Sequence, residues 1–172
     1  MARRRRREDA DTDVPGADEA EVEGELARPP RRIAVIHGPN LNLLGTREPH
    51  IYGTTTLDQI NDRLKDLAND LGAEITFFQS AREGALIEHV HSLIGRCDGI
   101  VINAAGYSHT SIALRDALAG VGIPFVEVHL TNVYAREPMR HHSALADVAR
   151  GVIVGFGALS YELALGALLH ED

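Results

Sequence analysis

The chain has 172 residues, a formal net charge of −8 and 44% hydrophobic residues, which suits one domain of ordinary size with an aliphatic core. The acidic balance argues against a nucleic-acid-binding domain, and no apolar run approaches the length that spans a bilayer. Cys97 is the only cysteine, which excludes an intramolecular disulfide and fits a reducing cytoplasm.

The first 32 residues read as a disordered, charged tail. A basic run, Arg3 to Arg7, is followed at once by Glu8, Asp9, Asp11, Asp13 and the acidic stretch Asp18 to Glu25, and the segment ends in Pro29-Pro30. A secretory signal would need an apolar stretch after the arginines, and an organelle transit peptide should be poor in acids. A solvated tail is the favoured reading over a site for nucleic acid or acidic partners. Residues 33–172 are expected to form a single α/β domain.

From Arg31 onward short β-branched runs alternate with helical stripes. Ile33 to Ile36 reads as the first strand. A long stretch without either period follows, His37 to Gly53, punctuated by Gly38, Pro39, Gly45, Pro49 and Gly53; such a connection in a compact domain is usually functional. Leu57, Ile60, Leu64, Leu67 and Leu71 recur at helical spacing behind Thr56-Leu57-Asp58-Gln59, a capping-box pattern, and Gly72 ends that helix. Ala73 to Phe78 is the second strand. Ser80-Ala81-Arg82-Glu83 predicts another capping box, opening a helix that stops near Gly95. Gly99 to Asn103 is a third strand apolar enough to be covered on both faces. Thr110-Ser111 caps a third helix through Leu118, closed by Gly120 and Gly122. Pro124 to His129 and Gly151 to Val154 are strands four and five, with a loop and a short helical segment between them. The last helix, Ala158 to Leu169, is apolar on most faces and should be buried against the sheet or a partner subunit.

This alternation predicts a parallel sheet with helices on both sides, in the flavodoxin-like order 2-1-3-4-5. Ligands then bind outside the carboxyl ends of the strands, where strands one and three meet. Polar residues cluster there. Asn40, Arg47 and Tyr52 follow strand one; Asn103, His109 and Ser111 follow strand three; Glu127, His129, Thr131, Arg136 and Arg140 lie at and beyond the end of strand four. Glu127 and His129, two apart on a strand, share a face. A carboxylate there would fix the imidazole tautomer and suit a general acid. Tyr52 beside Arg47 pairs a phenol with a cation that would favour the phenolate. His109, ahead of a helix start, together with Arg140, suggests an anionic group on the ligand. His89, His91, His141 and His142 read as structural or surface residues, and no metal-ligand spacing is present.

These motifs resemble those of the type II 3-dehydroquinate dehydratases. The resemblance rests on Gly38-Pro39-Asn40-Leu41-Asn42-Leu43-Leu44-Gly45, Arg47-Glu48-Pro49, Tyr52-Gly53, Gln79-Ser80 with Glu83-Gly84, Ser108-His109-Thr110-Ser111, Glu127-Val128-His129 and Arg136-Glu137, in order over residues 33 to 169. It implies anti elimination of water from 3-dehydroquinate through an enolate, giving 3-dehydroshikimate, with no cofactor and no metal. Tyr52 as tyrosinate would be the base, kept charged by Arg47, and Asn40 would hold the water that stabilises the enolate oxygen. His129, oriented by Glu127, would protonate the leaving hydroxyl, with Asn103 positioning His129 and the substrate. The substrate carboxylate would meet His109 and the backbone N–H groups of Leu130 and Thr131. Arg136 would serve beside the loop and Arg140 contact a ring hydroxyl. Asp116 would reach the site of an adjacent subunit in a dodecamer built from trimers. The loop His37–Gly53 would then be a lid delivering the base. His37 and Ala81 stand where family members often carry Asn, and Asn103-Ala104 replaces a common Asn-Pro.

Two other readings of the fold are weaker. The glycines after strand one are followed by Thr46-Arg47 rather than Lys-Ser or Lys-Thr, so they form no phosphate-binding Walker loop, and a flavin site has no further support. A receiver domain would want Asp where Asn103 stands, and an active-site lysine. Lys65 is the only lysine and falls on the polar side of the first helix, which also disfavours a Schiff-base dehydratase.

Overall fold

A computed structural model describes residues 29–46 and 54–170. The tail before Pro29, and the segment that carries Arg47 and Tyr52, lie outside the described residues. Five strands form one parallel sheet in the order β2-β1-β3-β4-β5: β1 (Arg32–His37), β2 (Glu74–Gln79), β3 (Gly99–Asn103), β4 (Phe125–His129) and β5 (Gly151–Val154). The expected order is the observed one. Four α-helices cover it: α1 (Leu57–Asp70), α2 (Glu83–Ser92), α3 (Ile112–Val121) and α4 (Leu159–Leu169). The segment between β4 and β5 holds two 3₁₀ turns, Val133–Ala135 and Pro138–Arg140.

Alternation along the strands divides the core. Ile33 and Val35 of β1, Val101 of β3, and Val126 and Val128 of β4 pack under α1 and α4. Ala34, Ile36, Ile100, Ile102 and Phe125 face α2 and α3. The next positions continue each series. His37 and Asn103 therefore belong to the α1/α4 face, Glu127 and His129 to the other.

Helix ends follow local chemistry. At α1 the capping box forms as expected: the Thr56 hydroxyl accepts from Gln59 N–H at 3.2 Å, and the Gln59 carboxamide accepts from Thr56 N–H at 3.0 Å. The second predicted box does not form. The Ser80 hydroxyl accepts from Arg82 N–H at 3.0 Å, two residues on rather than three, so it closes a turn. Helix α2 starts only at Glu83, with Arg82 at its cap and no side-chain bond there. Ser111 caps α3 through Leu114 N–H at 2.9 Å; the helix runs past Gly120 to Val121 and ends on Gly122 at φ 67°.

The switch point is tight. Gly38 N–H donates to the Asn103 carbonyl at 2.7 Å, and a Cβ on Gly38 would sit 2.4 Å from the Ala104 carbonyl oxygen. Both neighbours are backbone and cannot swing aside. Gly38→Ala is expected to cost about 2–3 kcal/mol through this overpacking, read as a lowered midpoint in a thermal melt followed by circular dichroism.

Candidate active site

A pocket opens above the ends of β1, β3 and β4. Asn40, Asn103, His109, His129, Leu130, Thr131, Arg136 and Arg140 line it, with Leu41, Leu44 and Val133 as its apolar wall. Eight of the proposed site residues thus meet in one cleft, and Glu127 lies directly beneath. Asp116 does not line it; its side chain is 67% exposed on α3, near Arg115 at 3.5 Å.

The floor is a buried polar triplet. His129 Nε2 lies 2.8 Å from Glu127 Oε1, and Glu127 is fully buried. The Ser143 hydroxyl lies 2.8 Å from each oxygen of that carboxylate, sharing one proton between them, and accepts from Leu145 N–H at 3.1 Å. Glu127 is therefore held on both oxygens, and in accepting from His129 Nε2–H it leaves Nδ1 as the imidazole's second functional atom. Ser143 carried no signal in the sequence: it follows His141-His142 in a loop without periodicity. Removing its hydroxyl loosens Glu127 without touching the pocket. Ser143→Ala is expected to reduce kcat about tenfold, the scale of one hydrogen bond to a charged group, in a steady-state assay.

Above the triplet the His109 ring stacks on His129, centroids 5.7 Å apart and 18° from parallel. His109 Nδ1–H donates to the His142 carbonyl at 2.8 Å, which directs Nε2 elsewhere. Burial lowers the proton affinity of His109, with the His142 carbonyl acting in the opposite direction. At the rim, Arg140 Nε donates to Glu137 Oε2 at 3.0 Å and Arg136 Nε lies 3.5 Å from the same oxygen. Arg136 Nη1 also reaches Thr131 Oγ1 at 3.4 Å. Glu137's own backbone N–H, then Arg140 and Arg136, hold its carboxyl below the usual range against desolvation. Asn40 takes the left-handed conformation at φ 67°, which Asn tolerates, and its carbonyl accepts from Leu43 N–H at 3.1 Å.

A second polar chain enters from the opposite face. The Asn103 carboxamide oxygen accepts from Ala105 N–H at 3.2 Å, and Tyr161 of α4 lies on the same face of the sheet. Tyr161 Oη lies 2.9 Å from His37 Nδ1, and His37 Nε2 lies 2.9 Å from Asn61 Oδ1 of α1. The sequence signals gave no hint of Tyr161, whose neighbours on the buried side of the helix, Ser160 apart, are apolar. Burial pushes the Tyr161 hydroxyl's pKa up, offset in part by Asn103.

Burial also lowers the pKa of His37 from 6.5 to about 4, against a smaller opposing effect of Asn61. The unfolded chain takes up this proton near pH 6.5 and the folded chain only near pH 4, so the unfolded state binds more protons between them. Stability should fall as pH drops through that window, by on the order of 3 kcal/mol from this residue. His89 and His109, also lowered by burial, act in the same direction. Thermal melts between pH 7 and 4 should show the fall, and His37→Asn should flatten part of it.

His141 and His142 are exposed, and His89 stacks on Phe78 at 4.0 Å, as structural residues do. Lys65 pairs with Asp62 at 3.0 Å on the outer side of α1, away from the pocket. No group of three or more metal-ligating side chains occurs among the described residues.

A parallel sheet in this order, with an acid–base pair sunk beneath a switch-point cleft, defines a class of α/β enzymes that hold a small ligand at the strand ends. The family model for dehydroquinase class II matches residues 31–169, and the chain belongs to that family. It is 58% identical over 140 residues to a protein of Synechococcus sp. (strain WH7803) named 3-dehydroquinate dehydratase, covering 81% of this chain and 95% of the relative. It is 57% identical over 136 residues to Catabolic 3-dehydroquinase 1 of Aspergillus terreus, covering 79% and 90%. The crystal structure of a type II dehydroquinase from Butyrivibrio crossotus superposes with a TM-score of 0.81 at 40% identity, covering 82% of this chain and 99% of that one.

Proposed function

We propose that this protein is a type II 3-dehydroquinate dehydratase, in which a tyrosinate and a histidine work from opposite sides of the substrate. The observation that carries the reading is the buried Glu127–His129 pair, braced by Ser143 and opening into the cleft at the switch point. Tyr52, as phenolate beside Arg47, takes the proton from the carbon next to the ketone. The electron pair moves into an enolate whose oxygen meets the water held by Asn40. When the enolate collapses, the β-hydroxyl leaves with a proton from His129, so that one water is released and a conjugated enone remains. Glu127, accepting at Nε2–H, leaves Nδ1–H as the proton given up.

The substrate carboxylate is taken by His109 and the N–H groups of Leu130 and Thr131. His109 already spends its Nδ1–H on the His142 carbonyl, so it donates to an anion only through a protonated Nε2, which an arriving carboxylate favours. Asn103 contacts the substrate, Arg140 a ring hydroxyl, and Arg136 steadies the loop that bears Tyr52. Asp116 serves the pocket of a neighbouring subunit in a trimer-based dodecamer. Exposed Ile112 on α3, and Val152, Phe156, Leu159 and Leu163 on β5, the turn beyond it and α4, supply apolar surface for such contacts. The buried thiol of Cys97 suits a reducing cytoplasm. The same chemistry serves aromatic biosynthesis and quinate breakdown, and relatives named for general and for catabolic dehydroquinases match at nearly equal identity.

Stereochemistry tests the reading. Substrate carrying deuterium anti to the leaving hydroxyl should give unlabelled product by mass spectrometry, and syn-labelled substrate should retain its label. Borohydride added with substrate should leave activity intact. A syn loss, or inactivation with an adduct on Lys65, would defeat the proposal.

A further inference from the structure

When neutral, His109 has one tautomer open to it. The His142 carbonyl can only accept, so the 2.8 Å contact at Nδ1 places the ring proton there. Nε2 is left with a lone pair and has no hydrogen-bond partner among the described residues. The ring is held in this pose from two sides. It stacks on His129 with centroids 5.7 Å apart, and Ala144 N–H donates to the Ser108 carbonyl at 2.7 Å, fastening the His142 segment to the turn that carries His109. A flip of the ring would present Cδ2–H to the His142 carbonyl and forfeit the bond.

The charges around the ring oppose a second proton. His129 faces it across the stack, and Arg140 and Arg136 line the same pocket. Glu127 lies beneath with its oxygens engaged by His129 and Ser143, and Glu137 is paired with Arg140 and Arg136 at the rim. No carboxylate among the described residues bonds to His109. Burial lowers the His109 pKa most, against the His142 carbonyl; His129 and Arg140 lower it further, and Glu127 offsets part of this. Before a ligand arrives the ring is therefore neutral at neutral pH, and its second nitrogen repels an anion.

We propose that substrate binding in this site takes up a proton: the carboxylate arrives together with a proton from solvent, which is held on His109 Nε2 and donated to the anion. The proposal rests on the reading of His109 as the carboxylate contact, and it adds a requirement to that reading. The N–H groups of Leu130 and Thr131 can meet an anion at any pH, whereas His109 meets it only as an imidazolium. Proton and ligand then favour each other reciprocally. The complex binds more protons than the free protein, so affinity falls as pH rises above neutral.

Calorimetry of 3-dehydroshikimate binding tests this, because the product keeps the carboxylate. Repeated at about pH 7.5 in buffers of different ionisation enthalpy, the heat should reveal uptake of close to one proton per site. The dissociation constant should rise by up to about tenfold per pH unit above that point. His109→Gln, whose carboxamide donates without an added proton, should bind with no uptake and a nearly level Kd. Tyr52→Phe and Asp116→Asn should keep the uptake. Nitrogen-15 NMR should show His109 protonated at Nδ1 alone in the free protein and at both nitrogens in the complex. Uptake that persists in His109→Gln, or an unprotonated Nε2 in the complex, would overturn the proposal. Weaker binding by His109→Ala, with no uptake in the parent, would sink the proton linkage alone and leave the contact. Parental Kd in His109→Ala at every pH would sink the reading of His109, and this proposal with it. No binding of 3-dehydroshikimate by the parent would sink the reading of the enzyme itself.

Discussion

Tyr52→Phe is expected to lower kcat by roughly 10²- to 10⁴-fold, the range for loss of a positioned general base, while substrate binding changes little. A phenol with an ordinary pKa near 10 is a poor base at neutral pH, so the role needs a neighbouring positive charge. Arg47, on the same loop, supplies it in the proposed mechanism, and Arg136 stands at the pocket rim beside Thr131. The substitution removes a single hydroxyl, so the closure of the ring over the substrate in the proposed mechanism is kept. Steady-state kcat together with a calorimetric Kd separates the two effects. Equal loss of binding and turnover would reassign Tyr52 to structure.

Glu127→Gln is expected to cost a similar factor, roughly 10² to 10⁴ in kcat. The carboxylate accepts from His129 on one oxygen and from Ser143 on both. A carboxamide has one acceptor oxygen and a donor NH₂. If the oxygen faces His129, the NH₂ confronts the Ser143 hydroxyl, which can rotate and accept, and folding survives. The charge that steadies an imidazolium is nevertheless gone, and so is the constraint that keeps His129 in one tautomer. Thermal melts near the parental midpoint with collapsed kcat would match this expectation. Retained kcat would mean that His129 needs no charged partner and would remove it as the acid of this mechanism.

Much of this arrangement is legible in the sequence. Strand order follows from alternation and handedness, and the described polar residues at three strand ends, Asn40 the one from the first cluster, meet because a doubly wound sheet brings those ends to one edge. The Glu127–His129 contact followed from strand period alone. Other features depend on partners remote in sequence. Ser143 reaches Glu127 from a loop with no repeating pattern, and Tyr161 looks like one more apolar helix position until His37 is placed against it. His37 stood out only as a departure from a family pattern, whereas its meaning lies in a buried chain that crosses from β1 to α1 and α4. The failed cap at Ser80 shows the limit of local rules, since a serine can close a turn two residues on as readily as cap a helix three on.

The most direct measurement is the ultraviolet absorbance of the purified protein mixed with 3-dehydroquinate, with no metal or cofactor added. The account predicts a steady rise as the conjugated product forms, at a rate proportional to enzyme and reduced by Tyr52→Phe and Glu127→Gln. A flat trace at micromolar protein would contradict it.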